Sequence, residues 1–126
     1  EKRARRRAEH WRAIMISACE QCGRATLPVL HPPTDLERAL RDLAPGTTRL
    51  MLDAHTGELA LSPPTTDRLV LLIGPEGGLT REEKEMAAAG EFRPIRLGPR
   101  IMRTETAALA AISFAQTVWG DFSASR

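Results

Sequence analysis

The pattern of this chain predicts an α/β fold, an open and mostly parallel sheet with helices on both faces. Three observations lead there. Three segments carry apolar residues three and four positions apart, the spacing of helices with one buried face, and a fourth is bracketed by a capping box and a glycine. Short apolar runs stand between them. One run, Leu69-Val70-Leu71-Leu72-Ile73, is apolar at five successive positions, as in strands covered on both faces of a parallel sheet. Glycine or proline punctuates the junctions, and the order reads helix, strand, helix, strand, then strand, helix, strand, helix.

Residues 8–22 form the first predicted helix, with Trp11, Ile14, Met15, Ala18 and Cys22 on one face. Gly23 stops it, and Pro28, Pro32 and Pro33 exclude helix beyond. Leu27 to Leu30 is expected as a short strand or extended segment. Thr34 is expected to cap the second helix, with Glu37 completing a capping box and Leu36, Ala39, Leu40 and Leu43 as its apolar face. Pro45-Gly46 ends it. Arg49 to Leu52 reads as a strand, followed by a turn around His55-Thr56-Gly57 and a polar, proline-containing loop through Asp67. Arg68 to Ile73 is the doubly covered strand, and Gly74-Pro75-Glu76-Gly77-Gly78 a tight loop after it. Thr80 then caps a third helix to Ala89, with Glu83 completing the box and Gly90 closing the helix. Phe92 to Leu97 is the next strand, which Gly98-Pro99 breaks. The last helix starts at Thr104 or a near neighbour; Ala107, Ala108, Ala110, Ala111, Phe114, Ala115 and Val118 make it apolar and small-faced.

The 126 residues suit one domain, and 42% hydrophobic against 27% charged residues supports a buried core rather than disorder. The longest apolar run is far short of a membrane span. Glu1 opens a charged stretch with no apolar segment of the secretory kind, and it is not Met, so a piece of a longer protein is expected. Two cysteines make no disulfide framework, which fits a reducing, cytoplasmic setting. The net charge of +2 conceals an asymmetry. Lys2, Arg3, Arg5, Arg6, Arg7 and Arg12 against Glu1 and Glu9 give the first twelve residues +4 and leave −2 for the rest. Such an arm permits a polyanionic partner. The aromatic supply (Trp11, Phe92, Phe114, Trp119 and Phe122, with no Tyr) offers no platform for base stacking.

Ligands of open α/β sheets bind beyond the carboxyl ends of the strands. Two such ends are unusual here. In the first, Gly74, Gly77 and Gly78 surround Glu76 directly after Ile73. A turn needing positive φ would use glycines in this way, but three in five positions at a strand end favour a loop whose backbone approaches a ligand. The loop has neither the G-x-x-x-x-G-K-[ST] nor the G-x-G-x-x-G frame of phosphate loops. Its acid suits a ligand with positive or hydroxyl character, and S-adenosylmethionine (SAM) has both. The second end runs Leu97-Gly98-Pro99-Arg100-Ile101-Met102-Arg103-Thr104-Glu105-Thr106-Ala107. Thr104 or Thr106 can cap the helix and Glu105 can complement its dipole. Arg103 is unfavourable at a helix N-terminus unless something anionic offsets it, either Glu105 or a substrate phosphate. Cys19 and Cys22 lie at a helix end without a second pair, and His10, His31 and His55 are scattered. No metal site is expected, and the cysteines read as structural.

Leu71-Leu72-Ile73-Gly74-Pro75-Glu76-Gly77-Gly78-Leu79, with the segment from Leu97 to Ala107, closely resembles the RsmE family of bacterial 16S ribosomal RNA (uracil-N3)-methyltransferases, within the SPOUT superfamily. Ala18-Cys19-Glu20-Gln21-Cys22-Gly23-Arg24 is similar to that family's helix ending in Glu-Gln-x-Gly-Arg. The resemblance implies a trefoil-knotted methyltransferase domain, in which the last helix and its preceding loop pass through an earlier loop. It implies SAM bound in that knot and a homodimer with the site near the interface. Carried over by position, Ile73, Gly74, Glu76, Gly77 and Gly78 form one wall of the cofactor site. Leu97, Gly98, Ile101, Met102, Thr104 and Ala107 form the adenine and ribose side. Arg103, oriented by Glu105, is the catalytic candidate, and Arg24 and Arg100 are candidates for RNA contact. Family members also carry an N-terminal β-barrel RNA-binding domain and an opening strand–helix–strand. Residues 1–126 are therefore expected to be the C-terminal part of the catalytic domain.

This sequence departs from the family at three places. Met102 stands where Leu is usual, Ala25 and Thr26 replace the common Asn and basic residue, and Asp53-Ala54-His55 replaces a frequent His-Pro dipeptide. The expected function is SAM-dependent methylation of a uridine N3 in small-subunit ribosomal RNA. Two alternatives stay open: methylation of a ribose 2′-hydroxyl, and a non-catalytic RNA-binding or ribosome-assembly module that uses residues 1–12.

Overall fold

The computed structural model describes residues 2–55, 58 and 66–122, divided into two compact units, Glu1–Asp35 and Leu36–Arg126. The expected turn at Thr56-Gly57 and most of the loop through Asp67 lie outside the described residues.

The first unit is built on α1 (Lys2–Cys22), six residues longer at its start than the apolar spacing predicts. The arginine-rich segment continues the helix, supported by an Arg5–Glu9 pair at i,i+4. Gly23 ends it at φ +74°, and the Arg24 N–H donates back to the Cys19 carbonyl at 2.9 Å, the 6→1 bond of a Schellman cap. Only glycine enters that conformation without a Cβ penalty. Residues 24–35 form no regular element, so the segment at Leu27–Leu30 is not a ladder-paired strand; Pro28, Pro32 and Pro33 cannot donate to one.

The second unit contains α2 (Leu36–Arg41), β1 (Thr48–Leu52), β2 (Leu69–Leu72), α3 (Arg81–Ala89), β3 (Arg93–Ile95) and α4 (Thr104–Trp119). Its three strands are all parallel, in the order β2-β1-β3, with Leu50 opposite Leu71 and Arg93. Side chains alternate between the faces as the pleat requires. Leu50, Leu52, Leu69, Leu71 and Ile95 pack with Phe114 and Trp119, which places α4 on one face. Met51, Val70 and Leu72 pack with Leu40, Leu43, Ala87 and Phe92, which places α2 and α3 on the other. The expected open parallel sheet with helices on both faces is therefore present.

Three local expectations are corrected. β2 is an edge strand and half-buried throughout, because β1 is its one ladder partner among the described residues. The strand at Phe92–Leu97 shortens to three residues. Phe92 belongs to the core beneath α3, and Pro94 is tolerated because β3 has a full ladder on one side alone, to β1, with a single bridge from Ile95 to Glu58 besides. The second helix begins at Leu36, so Thr34 is not its immediate N-terminal neighbour, and Glu37 pairs with Arg41 at 2.6 Å instead of closing a capping box. The third helix matches expectation. Thr80 Oγ1 accepts from the Glu83 N–H at 3.2 Å, and the Glu83 carboxylate accepts from the Thr80 N–H at 2.8 Å.

Candidate functional site

All three strands run the same way, so Asp53, Ile73 and Arg96 leave the sheet at one edge. A cavity of about 290 Å³ opens there, near the lower end of the roughly 300–1,000 Å³ typical of ligand sites. The loop after β2 contributes Ile73, Gly74, Glu76, Gly77 and Gly78. The segment after β3 contributes Leu97, Gly98, Ile101, Met102, Thr104 and Ala107. Every residue expected on the cofactor side thus lines a single cavity, and Arg100 lines it too. The two loops are joined directly, because Thr104 Oγ1 donates to the Gly74 carbonyl at 3.1 Å.

The glycines serve different purposes. A Cβ on Gly74 would lie 3.0 Å from the Leu79 nitrogen and 3.1 Å from the Gly78 carbonyl carbon, so the loop closes on itself only with hydrogen there. Gly78 (φ +76°) and Gly98 (φ +82°) occupy the left-handed region. Gly77 has no such φ, and no atom comes within 4 Å of a Cβ built on it. The turn is held by the Gly78 N–H donating to the Pro75 carbonyl at 2.8 Å.

Arg103 is the N-cap of α4 and makes no side-chain capping bond. It is exposed and absent from the cavity wall, as is Glu105. No ion pair joins Arg103 and Glu105 among the described residues. Residues two apart at a helix start project in different directions. Arg24 belongs to the other unit, Glu1–Asp35.

A third wall was not anticipated. Leu52, Asp53, Ala54 and His55, from the carboxyl end of β1, line the cavity together with Lys84 of α3. Asp53 Oδ2 accepts from Lys84 Nζ at 2.7 Å, and Asp53 Oδ1 accepts from the His55 N–H at 2.9 Å. The Asp53 side chain is 2% exposed and that of Lys84 35%. The signal available was an acid immediately after a strand, the third of the three strand ends at which a ligand could bind. Its partner lies thirty-one residues away.

The sequence model of a family described as RNA methyltransferase domain matches residues 1–116. The chain is 38% identical over 115 residues to the ribosomal RNA small subunit methyltransferase E of Buchnera aphidicola, covering 90% of this chain and 47% of the relative. To the protein of the same name from Bacillus subtilis it is 33% identical, covering 90% and 48% respectively. Among solved structures it is similar to the Neisseria gonorrhoeae ribosomal RNA small subunit methyltransferase E bound to SAM. The TM-score is 0.89 at 41% identity, over 96% of this chain and 52% of that one. A Legionella pneumophila protein in complex with SAM is similar at TM-score 0.89 and 36% identity, over 95% and 50%. The chain thus spans about half the length of the curated relatives it matches.

Proposed function

The chain belongs to the RNA methyltransferase domain family, and from that premise we propose that it is the catalytic part of an enzyme that transfers a methyl group from SAM to N3 of a uridine in 16S ribosomal RNA. One observation carries the reading. Two glycine-bearing loops, distant in sequence, line one cavity at the carboxyl edge of a parallel sheet and are tied by the Thr104–Gly74 bond. The likeness to RsmE read from those loops agrees with the relatives that match over this segment.

The cavity's chemistry fits SAM. Ile73, Leu97, Ile101, Met102 and Ala107 offer an apolar lining for an adenine ring, and Glu76 an acceptor for amino or hydroxyl groups. The open space at Gly77 and Gly98 lets backbone lie against a ligand. When bound, SAM supplies an electrophilic methyl carbon on a sulfonium sulfur. The residues that hold it therefore act mainly by alignment, fixing donor and acceptor in line. Uracil N3 becomes a good nucleophile only as its proton leaves. A cation beside it stabilises the developing anion, by the logic of an oxyanion hole. Arg103 takes that role in our reading, since it is exposed and lies between the cavity residues Met102 and Thr104. Arg100 and Arg24 are assigned to RNA phosphates.

The finer architecture is also part of the proposal. We read the α4 junction as threading an earlier loop to form a trefoil knot, and the Thr104–Gly74 bond supports that reading. We read the assembly as a homodimer. Apolar side chains are left uncovered on α1 (Trp11, Ile14) and on α4 (Leu109, Ile112), and Leu109 is 69% exposed. No helix among the described residues is long and apolar enough to cross a membrane. The substrate places the reaction in the cytoplasm.

The exposed arginines of α1 favour a second reading, an RNA-binding module without catalysis. Calorimetric titration with SAM separates the two, because only the enzyme reading expects saturable binding. The module reading expects RNA affinity with a steep salt slope and no SAM binding. Nucleoside analysis of RNA treated with the full-length protein then identifies the target atom. 3-Methyluridine supports the proposal, and a ribose 2′-O-methyl product replaces it.

A further inference from the structure

The cavity has three walls, and side-chain bonds tie them at two places. Thr104 joins the segment after β3 to the glycine loop. Asp53 and Lys84 join the turn after β1 to the helix that follows that loop. Of the ion pairs among the described residues, this one alone has a buried member; the other four lie on helix surfaces with both partners well exposed. Asp53 is held on at least three sides. Its N–H donates to the Ile95 carbonyl at 2.9 Å, and its two carboxylate oxygens accept from His55 and Lys84. A buried ion pair is seldom the most stabilising way to fill such a site, since apolar residues of similar volume commonly do as well. What it provides is fixed geometry between the two elements it bridges. Both members line the cavity.

We propose that Lys84, anchored by the buried Asp53 carboxylate, is a positioning residue for the cofactor: it clamps the turn at residues 53–55 to the helix behind the glycine loop and so sets the separation of two walls of the SAM cavity. The inference rests on the reading of that cavity as a SAM site.

The test is SAM titration by calorimetry, at a temperature where each variant is folded by circular dichroism. Asp53→Asn keeps the shape and the acceptor for the His55 N–H but removes the charge. Lys84→Met keeps the apolar stem and leaves a buried carboxylate unbalanced. Where it fails to fold, the double variant Asp53→Asn/Lys84→Met removes both charges together. The expected result is a rise of about tenfold in the SAM dissociation constant for Asp53→Asn and for the double variant, within the range of coupling for contacting residues. Lys84→Arg, which keeps the cation, should recover affinity to within about threefold of wild type. A pair that serves stability alone would lower the unfolding temperature and leave the affinity of the folded variants unchanged. Affinity within twofold of wild type in folded Asp53→Asn, or no recovery with Lys84→Arg, overturns the proposal. Wild-type protein that binds no SAM overturns the cofactor reading and this inference with it. Wild-type binding with unchanged variants overturns only the inference.

Discussion

Alanine substitutions at three glycines of one loop should separate by the reason each glycine is there. At Gly74 a methyl group would sit 3.0 Å from the Leu79 nitrogen and 3.1 Å from the Gly78 carbonyl carbon, against an ordinary contact of about 3.5–4.0 Å. Both atoms are backbone, so the loop itself must shift, and overpacking of this kind costs about 1–3 kcal/mol. Restricting the unfolded chain returns about 0.4–1 kcal/mol. Gly74→Ala should therefore lose about 1–2 kcal/mol. Gly78→Ala has room but keeps φ +76°, where a side chain costs about 1–2 kcal/mol. Its net loss should be about 0.5–1 kcal/mol after the same unfolded-state gain. Gly77→Ala meets no atom and needs no positive φ. It should be neutral or more stable by up to about 1 kcal/mol. Urea denaturation with a constant m-value measures the series. Gly74→Ala as stable as wild type, or Gly77→Ala as costly as Gly74→Ala, would refute the assignment. Because Gly77 is free of both constraints, Gly77→Val separates fold from site: it should remain folded and lose SAM binding, and retained affinity would remove Gly77 from the cofactor wall.

Thr104→Val removes the donor to the Gly74 carbonyl; the expected cost is about 0.5–1.5 kcal/mol of stability with several-fold weaker SAM binding, read by denaturation and calorimetry. Leu109→Glu with Ile112→Glu should release folded monomers in sedimentation, since both side chains are at least half exposed. Ala111→Glu should unfold the chain instead, because Ala111 is 1% exposed and faces its own core. In the full-length enzyme Arg103→Ala should slow single-turnover methylation of small-subunit RNA by about 10²–10³ while leaving the SAM dissociation constant unchanged. Methylation at the wild-type rate would make Arg103 a bystander.

The features readable from sequence were those decided within a few residues. The Thr80–Glu83 box closes over four positions, and the glycines of residues 74–78 announce a loop whatever surrounds them. The Thr34–Glu37 pattern is equally local, but the helix starts at Leu36, one residue later than a box capped by Thr34 requires. Five successive apolar residues predicted a strand covered on both faces, and β2 is instead a half-buried edge. Hydrophobicity records that a surface must be covered; it does not record whether the chain or a second copy covers it. Uncovered Leu109 and Ile112 belong to the same surplus, which is why the dimer test is placed on them and not on the alanines.

The Asp53–Lys84 contact lies beyond any local rule. Its members are thirty-one residues apart, separated by β2 and the glycine loop. They meet only because β1 is the central strand of the order β2-β1-β3, which sets the end of β1 beneath the helix that follows β2. Place β1 at an edge and the same two residues become a buried carboxylate without a cation and a solvated lysine. The pair is thus a property of strand order. Any reading of this cavity from its two glycine loops alone omits the wall that the order supplies.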